Sequence, residues 1–178
     1  MVKKGVEYFK CRECDESISL NVRVCSKCGY EPEIEVSYHD NGLINILRNY
    51  QDGKLDGQYL SWNESGEKYF ESCWERGVIS GLYTEWYSNG KKFREDQYRD
   101  GNIIISKVWK PNEEICRQSN LVDGSGQTAD YNEKGYMWRL RTYHNSTLNG
   151  LTSEWFDNGK KHSETIYKNG DVVSMLVW

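Results

Sequence analysis

The chain has little of what builds a thick core, a membrane anchor or a polyanion-binding surface. Hydrophobic residues make up 37% and the mean hydropathy is −0.84. No apolar run approaches the roughly 18 residues that a spanning helix needs, and Met1 to Lys10 lacks a signal-peptide pattern, so the expected address is the cytoplasm. The 23 basic residues are outnumbered by 27 acidic ones, for a net charge of −4. That balance disfavours nucleic acid and anionic membranes, which reward a strong positive field. Histidines number 3, and His39, His144 and His162 fall far apart. No serine or cysteine sits in a nucleophile motif, and no glycine-rich phosphate loop precedes a helix, so no enzymatic activity is expected. No stretch of ten or more residues combines a 3.6 period with freedom from turn punctuation, and helix is therefore not expected.

What is present is aromatic, glycine-punctuated and repetitive. The 178 residues include 7 Trp, 13 Tyr and 16 Gly. DGQYLSWNESGEKYFESCWERGVIS (56 to 80) and SGLYTEWYSNGKKFREDQYRDGNII (80 to 104) align at an offset of 24 residues: Gly57 with Gly81, Tyr59 with Tyr83, Trp62 with Trp86, Gly66 with Gly90, Trp74 with Tyr98 and Gly77 with Gly101. A period of this size marks an array of supersecondary units. A column of residues spaced about twelve apart continues the pattern through Tyr38, Tyr50, Trp109, Leu121, Tyr131, Tyr143, Trp155, Tyr167 and Trp178. Asn-Gly or Asp-Gly recurs at 41 to 42, 52 to 53, 56 to 57, 89 to 90, 100 to 101, 123 to 124, 149 to 150, 158 to 159 and 169 to 170, which reads as hairpin turns. The expected fold is all-β, an elongated antiparallel meander of hairpins over 33 to 178, about 55 Å long if its dozen strands form one sheet.

Turn chemistry suggests a register. A three-residue loop Glu64, Ser65, Gly66 pairs Asn63 with Glu67 and Trp62 with Lys68. Alternation then puts Trp62, Leu60, Phe70 and Trp74 on one face, and Tyr59, Tyr69, Glu71 and Cys73 on the other. A four-residue loop would instead separate Trp62 from Trp74, because a one-residue slip inverts the faces. Glu71, Glu95 and Glu164 are equivalent by repeat, and the three-residue register sets Tyr59, Tyr83 and Thr152 opposite them. The period lapses at 105 to 125, where Pro111, Asn112 and Glu113 replace the turn glycine; a bend is favoured there over an inserted function, since a PNEE turn does the same geometric work. Cys73 and Cys116 read as inert, half-buried residues on strands.

The N-terminal segment 1 to 32 is of another kind. Cys11, Cys14, Cys25 and Cys28 form two CxxC pairs, the spacing by which two tight turns aim four thiolates at one cation, and structural zinc is the expected cofactor. The intervening residues have room for two short strands, and Pro32 marks the junction. Over residues 9 to 30 the segment resembles the short zinc ribbon at the front of many prokaryotic proteins. A piece this small needs metal to fold. Lys3, Lys4, Lys10, Arg12, Arg23 and Lys27 are offset by neighbouring acids, which argues against a nucleic-acid-binding head.

The segments GLYTEWYSNGKKFREDQYRDG (81 to 101) and GLTSEWFDNGKKHSETIYKNG (150 to 170) resemble the MORN repeat variant, a hairpin repeat common in bacterial proteins described as antitoxin-like components of toxin-antitoxin systems. The resemblance is carried by Trp86, Gly90, Lys91, Tyr98 and Gly101 and by Trp155, Gly159, Lys160, Tyr167 and Gly170. It implies a non-enzymatic surface for a protein partner, such as a cognate toxin or effector. Candidate contact residues are Tyr59, Tyr83, Trp86, Glu71, Glu95 and Trp155, with the Tyr and Glu columns able to capture a basic partner. The alternatives are a nucleic-acid adaptor working through the ribbon and a peripheral membrane scaffold.

Overall fold

A computed structural model describes residues 8 to 11, 13 to 19, 24 to 31 and 33 to 178, and every element in it is strand, turn or loop. The N-terminal module pairs β1 (Tyr8–Lys10) with β2 (Ser17–Ser19). The second strand expected between the cysteine pairs and the Pro32 junction both involve positions outside the described residues. A seven-stranded antiparallel meander follows: β3 (Glu33–Tyr38), β4 (Ile44–Gln51), β5 (Lys54–Trp62), β6 (Lys68–Glu75), β7 (Val78–Trp86), β8 (Lys92–Arg99) and β9 (Asn102–Val108). A second sheet runs β10 (Gly126–Tyr131), β11 (Met137–His144), β13 (Gly150–Trp155), β14 (Lys161–Lys168) and β15 (Asp171–Val177), with the two-residue β12 (Thr147–Leu148) paired to β11.

Two turn types alternate, which explains the twelve-residue beat. The turn after Trp86 closes with the Tyr87 amide donating to the Lys91 carbonyl at 2.8 Å and the Gly90 amide to the Tyr87 carbonyl at 2.9 Å. Gly90 sits there at a φ of 75°, where a side chain is strained. The next turn is a two-residue Asp100, Gly101 hairpin with both φ values positive, whose twist matches that of the flanking strands. The irregular PNEE turn copies the first type. Lys110 donates to Glu114 at 2.9 Å, Glu113 donates to Lys110 at 2.8 Å, and Glu113 takes the glycine's place at a φ of 69°. The expected geometric equivalence of that turn therefore holds. Two of the Asp-Gly and Asn-Gly dipeptides are not turns: 56 to 57 and 149 to 150 lie in or beside strands, where a Cβ on Gly57 would stand 3.1 Å from the Cβ of Asn49.

The register corrects the face assignment. The three-residue loop is present, with Trp62 opposite Lys68 and the Asn63 amide on the Glu67 carbonyl at 2.9 Å, but Ser61 then pairs with Phe70, leaving Tyr69 as an extra residue. This β-bulge inverts everything beyond it. Tyr59 pairs with Ser72, while Glu71 pairs with Leu60 on the opposite face. The tyrosines and glutamates expected to face each other therefore lie on opposite sides, and Trp62 and Trp74 are separated. The bulge recurs at Phe93, Trp138 and His162, positions equivalent by repeat to Tyr69.

Two kinds of cross-strand row result. One face carries Tyr59, Ser72, Tyr83, Asp96 and Ser106 in register, beside Ser61, Phe70, Glu85, Arg94 and Val108. The other carries Val36, Leu47, Leu60, Glu71, Thr84, Glu95 and Lys107. Its apolar end is where the N-terminal module docks: Cys11, Ile18 and Cys25 form one buried cluster with Leu47 and Leu60, with Trp62 packed against it.

The array is not one sheet. Between β9 and β10 only the bridges Trp109 to Ile115 and Val122 to Ser125 remain. The meander is interrupted there and resumes as a second sheet. Leu121, which stands in the aromatic column, is completely buried in the bend. Cys116, expected on a strand, lies instead in this connection, is buried, and has its sulfur 3.2 Å from the Tyr131 hydroxyl.

Candidate metal centre and interaction surface

The two CxxC turns are copies of each other. Cys11 donates its amide to Glu16 and accepts from Asp15, and Cys25 donates to Tyr30 and accepts from Gly29, all at 2.8 Å. The residue after each second cysteine is left-handed: Gly29, as its glycine suggests, and Asp15, which carries no such signal. The turns bring Cys11 and Cys28 sulfurs to 3.5 Å and those of Cys14 and Cys25 to 3.6 Å, and all four lie within 4.8 Å of one another. A tetrahedral ion with metal–sulfur bonds of about 2.3 Å needs sulfur separations of about 3.8 Å, so the set fits a metal ion. The thiols are inequivalent. Burial pushes Cys25 up, but amide donors from Cys28 and Lys27 outweigh it and bring it down to about 7. At Cys28 an amide donor from Tyr30 lowers the thiol's pKa, yet burial and the adjoining thiols lift it to about 12. Four thiolates this close need a shared cation to coexist. No disulfide links any of the six cysteines.

The bend is braced by buried charge. Asp130 of β10 accepts from the Arg94 guanidinium of β8, from Arg139 Nε at 2.7 Å and from Arg141 Nη2 at 3.0 Å. Arg94 also donates to the Ala129 carbonyl at 3.2 Å, which ties the first sheet to the second. Asp96 lies 3.8 Å from Arg94, and burial raises its carboxyl to about 6 against the pull of that guanidinium. Pairing on this scale specifies geometry more than it adds stability. Sequence reasoning missed this cluster. The available signal was positional: where other units place Ser61, Phe70 and Ser72, the units flanking the irregular one place Asp130, Arg94 and Asp96.

The candidate contact residues divide into separate groups. Tyr59 and Tyr83 belong to a ring ladder: Tyr59 meets Phe70 edge-on at 4.7 Å, Phe70 stacks with Tyr83 at 6.1 Å, and Tyr83 meets Tyr98 at 6.2 Å. Burial, the Glu85 charge and the 2.6 Å bond to that carboxylate hold the Tyr83 hydroxyl far above its ordinary range. Glu71 and Glu95 lie on the opposite face and are already neutralised, with Lys68 at 2.7 Å from Glu71 and Lys92 at 2.5 Å from Glu95; Glu164 is paired likewise with Lys161. Each of these lysines also reaches the tryptophan of the next unit: Lys68 lies 5.5 Å from the Trp86 ring centre, Lys92 5.4 Å from Trp109 and Lys161 5.6 Å from Trp178. Trp86 further lines a groove of about 390 Å³ with Tyr69, Phe93, Trp138 and Arg139. Trp155 lines a different, shallow and wide-open concavity of about 560 Å³ with Trp138, Phe156, Asp157 and Asn158.

Two of the three histidines contact the scaffold, and His144 is exposed. His39 Nε2 lies 2.8 Å from the Trp62 carbonyl, linking adjacent turns, and His162 packs on Phe156 at 4.4 Å. No helix among the described residues is long and apolar enough to cross a membrane. No family model matches the chain, and no curated protein matches it.

Proposed function

We propose that this chain is a non-enzymatic protein-interaction module of the MORN-variant kind, with a structural zinc ribbon as its head and an antitoxin-like or immunity role toward a protein partner. The observation that carries the reading is the aromatic display of the two sheets. The Tyr59 to Tyr98 ladder and the tryptophan-lined turn edge are held in place by hairpins and bulges, and rigid Tyr and Trp side chains dominate binding hot spots because they cover area at low entropic cost. The four-sulfur set supports zinc in particular, since an all-thiolate tetrahedral site is characteristic of structural zinc.

Affinity purification of the full chain from native cells tests the interaction reading. The expected result is a protein recovered in constant ratio, resistant to nuclease and to 0.5 M salt, a concentration that would strip a partner held by phosphate contacts. Recovery of the chain alone in repeated preparations would overturn it. Elemental analysis should give about one zinc per chain, lost in a Cys11→Ser, Cys14→Ser variant.

A further inference from the structure

The turn-edge tryptophans are treated alike with one exception. Trp86, Trp109 and Trp178 each have a lysine ammonium from the preceding unit close to the ring, and Trp62 is packed against the cluster under the metal-binding module. The lysine comes from one repeat position, the residue that pairs across the turn with the aromatic: Lys68 with Trp62, Lys92 with Trp86 and Lys161 with Trp155. In the unit that precedes Trp155 this position is Met137, paired with Tyr131. The glutamate three residues on is replaced as well, by Leu140, and both residues pack against the small core at the bend formed by Val108, Cys116, Ala129 and Tyr131. Packing the corner has removed the cation. Among the described residues no lysine or arginine lies over Trp155, and its ring opens on the concavity of about 560 Å³ shared with Trp138, Phe156, Asp157 and Asn158. Trp138 is occupied from another direction, with the Arg139 guanidinium 4.3 Å from its ring centre. Asp157 is exposed, accepts one hydrogen bond from Asn132 at 3.0 Å, and makes no ion pair among the described residues.

We propose that this concavity is a lysine-binding site, in which Trp155 receives from a protein partner the ammonium that the chain itself supplies to Trp86, Trp109 and Trp178. The inference rests on the reading of the chain as a protein-interaction module. The Trp155 ring offers the negative face that attracts a cation, Asp157 adds a carboxylate at the rim, and the chain's net charge of −4 favours approach of a basic segment. The three internal pairs show the distance at which this scaffold holds an ammonium from an indole, about 5.5 Å.

The test is a titration of the full chain with Nα-acetyl-lysine methylamide, followed at the Trp155 indole N–H by NMR, with the norleucine analogue as the probe lacking a charge. The lysine probe should shift Trp155 saturably, and the norleucine probe should bind at least threefold more weakly. Met137→Lys, which restores the chain's own ammonium, should abolish the shift. Asp157→Asn, which removes the charge and keeps an oxygen to accept from Asn132, should weaken binding at least twofold. Equal response to the two probes, or a wild-type response in both variants, would overturn the proposal. Tighter binding of tetramethylammonium or phosphocholine than of the lysine probe would overturn it in favour of a quaternary-ammonium ligand. The two readings fail separately: recovery of the same partner by Met137→Lys and by wild type removes the site and leaves the module, whereas recovery of no partner by wild type removes the module and leaves the probe titration to decide the site.

Discussion

If the metal-binding module is a lid on the first sheet, removing the metal should damage that sheet and not only the module. Leu47 is 1% and Leu60 5% exposed, and beyond them the same row turns polar, with Thr84 1% exposed between Glu71 and Glu95 and their lysines, and Lys107 open to solvent. Full burial of two leucines is worth about 3 to 6 kcal/mol. Neighbouring strands supply part of that cover, so the module's share is about 2 to 3 kcal/mol, a large fraction of the 5 to 15 kcal/mol that typically holds a domain. The perturbation is chelation of the full chain, with Cys11→Ser, Cys14→Ser as its genetic counterpart. Urea unfolding should move to a lower midpoint, and a dye that reports exposed apolar surface should brighten before the main transition. Leu60→Glu should bring on the dye response with the metal retained, because it breaks the seat and leaves the four sulfurs intact. A chelated chain with unchanged midpoint and no dye response would refute the lid.

Three further outcomes follow from single residues. Glu113→Gly should raise stability by about 1 kcal/mol, since Glu113 holds a left-handed conformation at a φ of 69° and its ion pair with Lys91 is largely exposed; the rise in Tm, about 2 to 4 °C, can be read by calorimetry. Arg94→Met should cost about 3 to 5 kcal/mol in denaturant unfolding, because it strips Asp96 and Asp130 of a shared buried partner and cuts the tie between the sheets. The Asp96 carboxyl is raised from 3.8 to about 6, so its contribution is fully present below the lower value and is lost as pH rises through the upper one. Asp96→Asn should therefore lack a decline of about 3 kcal/mol that wild type suffers between pH 4 and 7, and curves of equal shape across that window would contradict the assignment.

What the sequence made legible was whatever depends on local chemistry. The left-handed glycines, the Asp-Gly and Asn-Gly hairpins and the paired CxxC turns each dictate a few backbone dihedrals, and the all-β meander and the four-sulfur set follow from them. What stayed hidden depends on counting residues across a turn. Tyr69, Phe93, Trp138 and His162 look like ordinary strand residues, and nothing in their chemistry announces that each is the extra member of a bulge. One such residue is enough to exchange the faces, which is why the tyrosine and glutamate columns lie on opposite sides although the loop between their strands is the three-residue one, the outcome that a four-residue loop would otherwise give.

The same logic separates scaffold from specificity. A column that repeats intact, such as Lys68 with Glu71 or Lys92 with Glu95, has its charges spent within the chain and offers a partner little that is unpaired. A position where the repeat is broken for a structural reason leaves its neighbour with an unmet preference, and Met137 does this to Trp155. The lapse at 105 to 125 therefore matters beyond the bend it makes. By demanding apolar residues at 137 and 140 it draws function to the concavity one strand further on, where the Trp155 indole meets a carboxylate that makes no ion pair among the described residues.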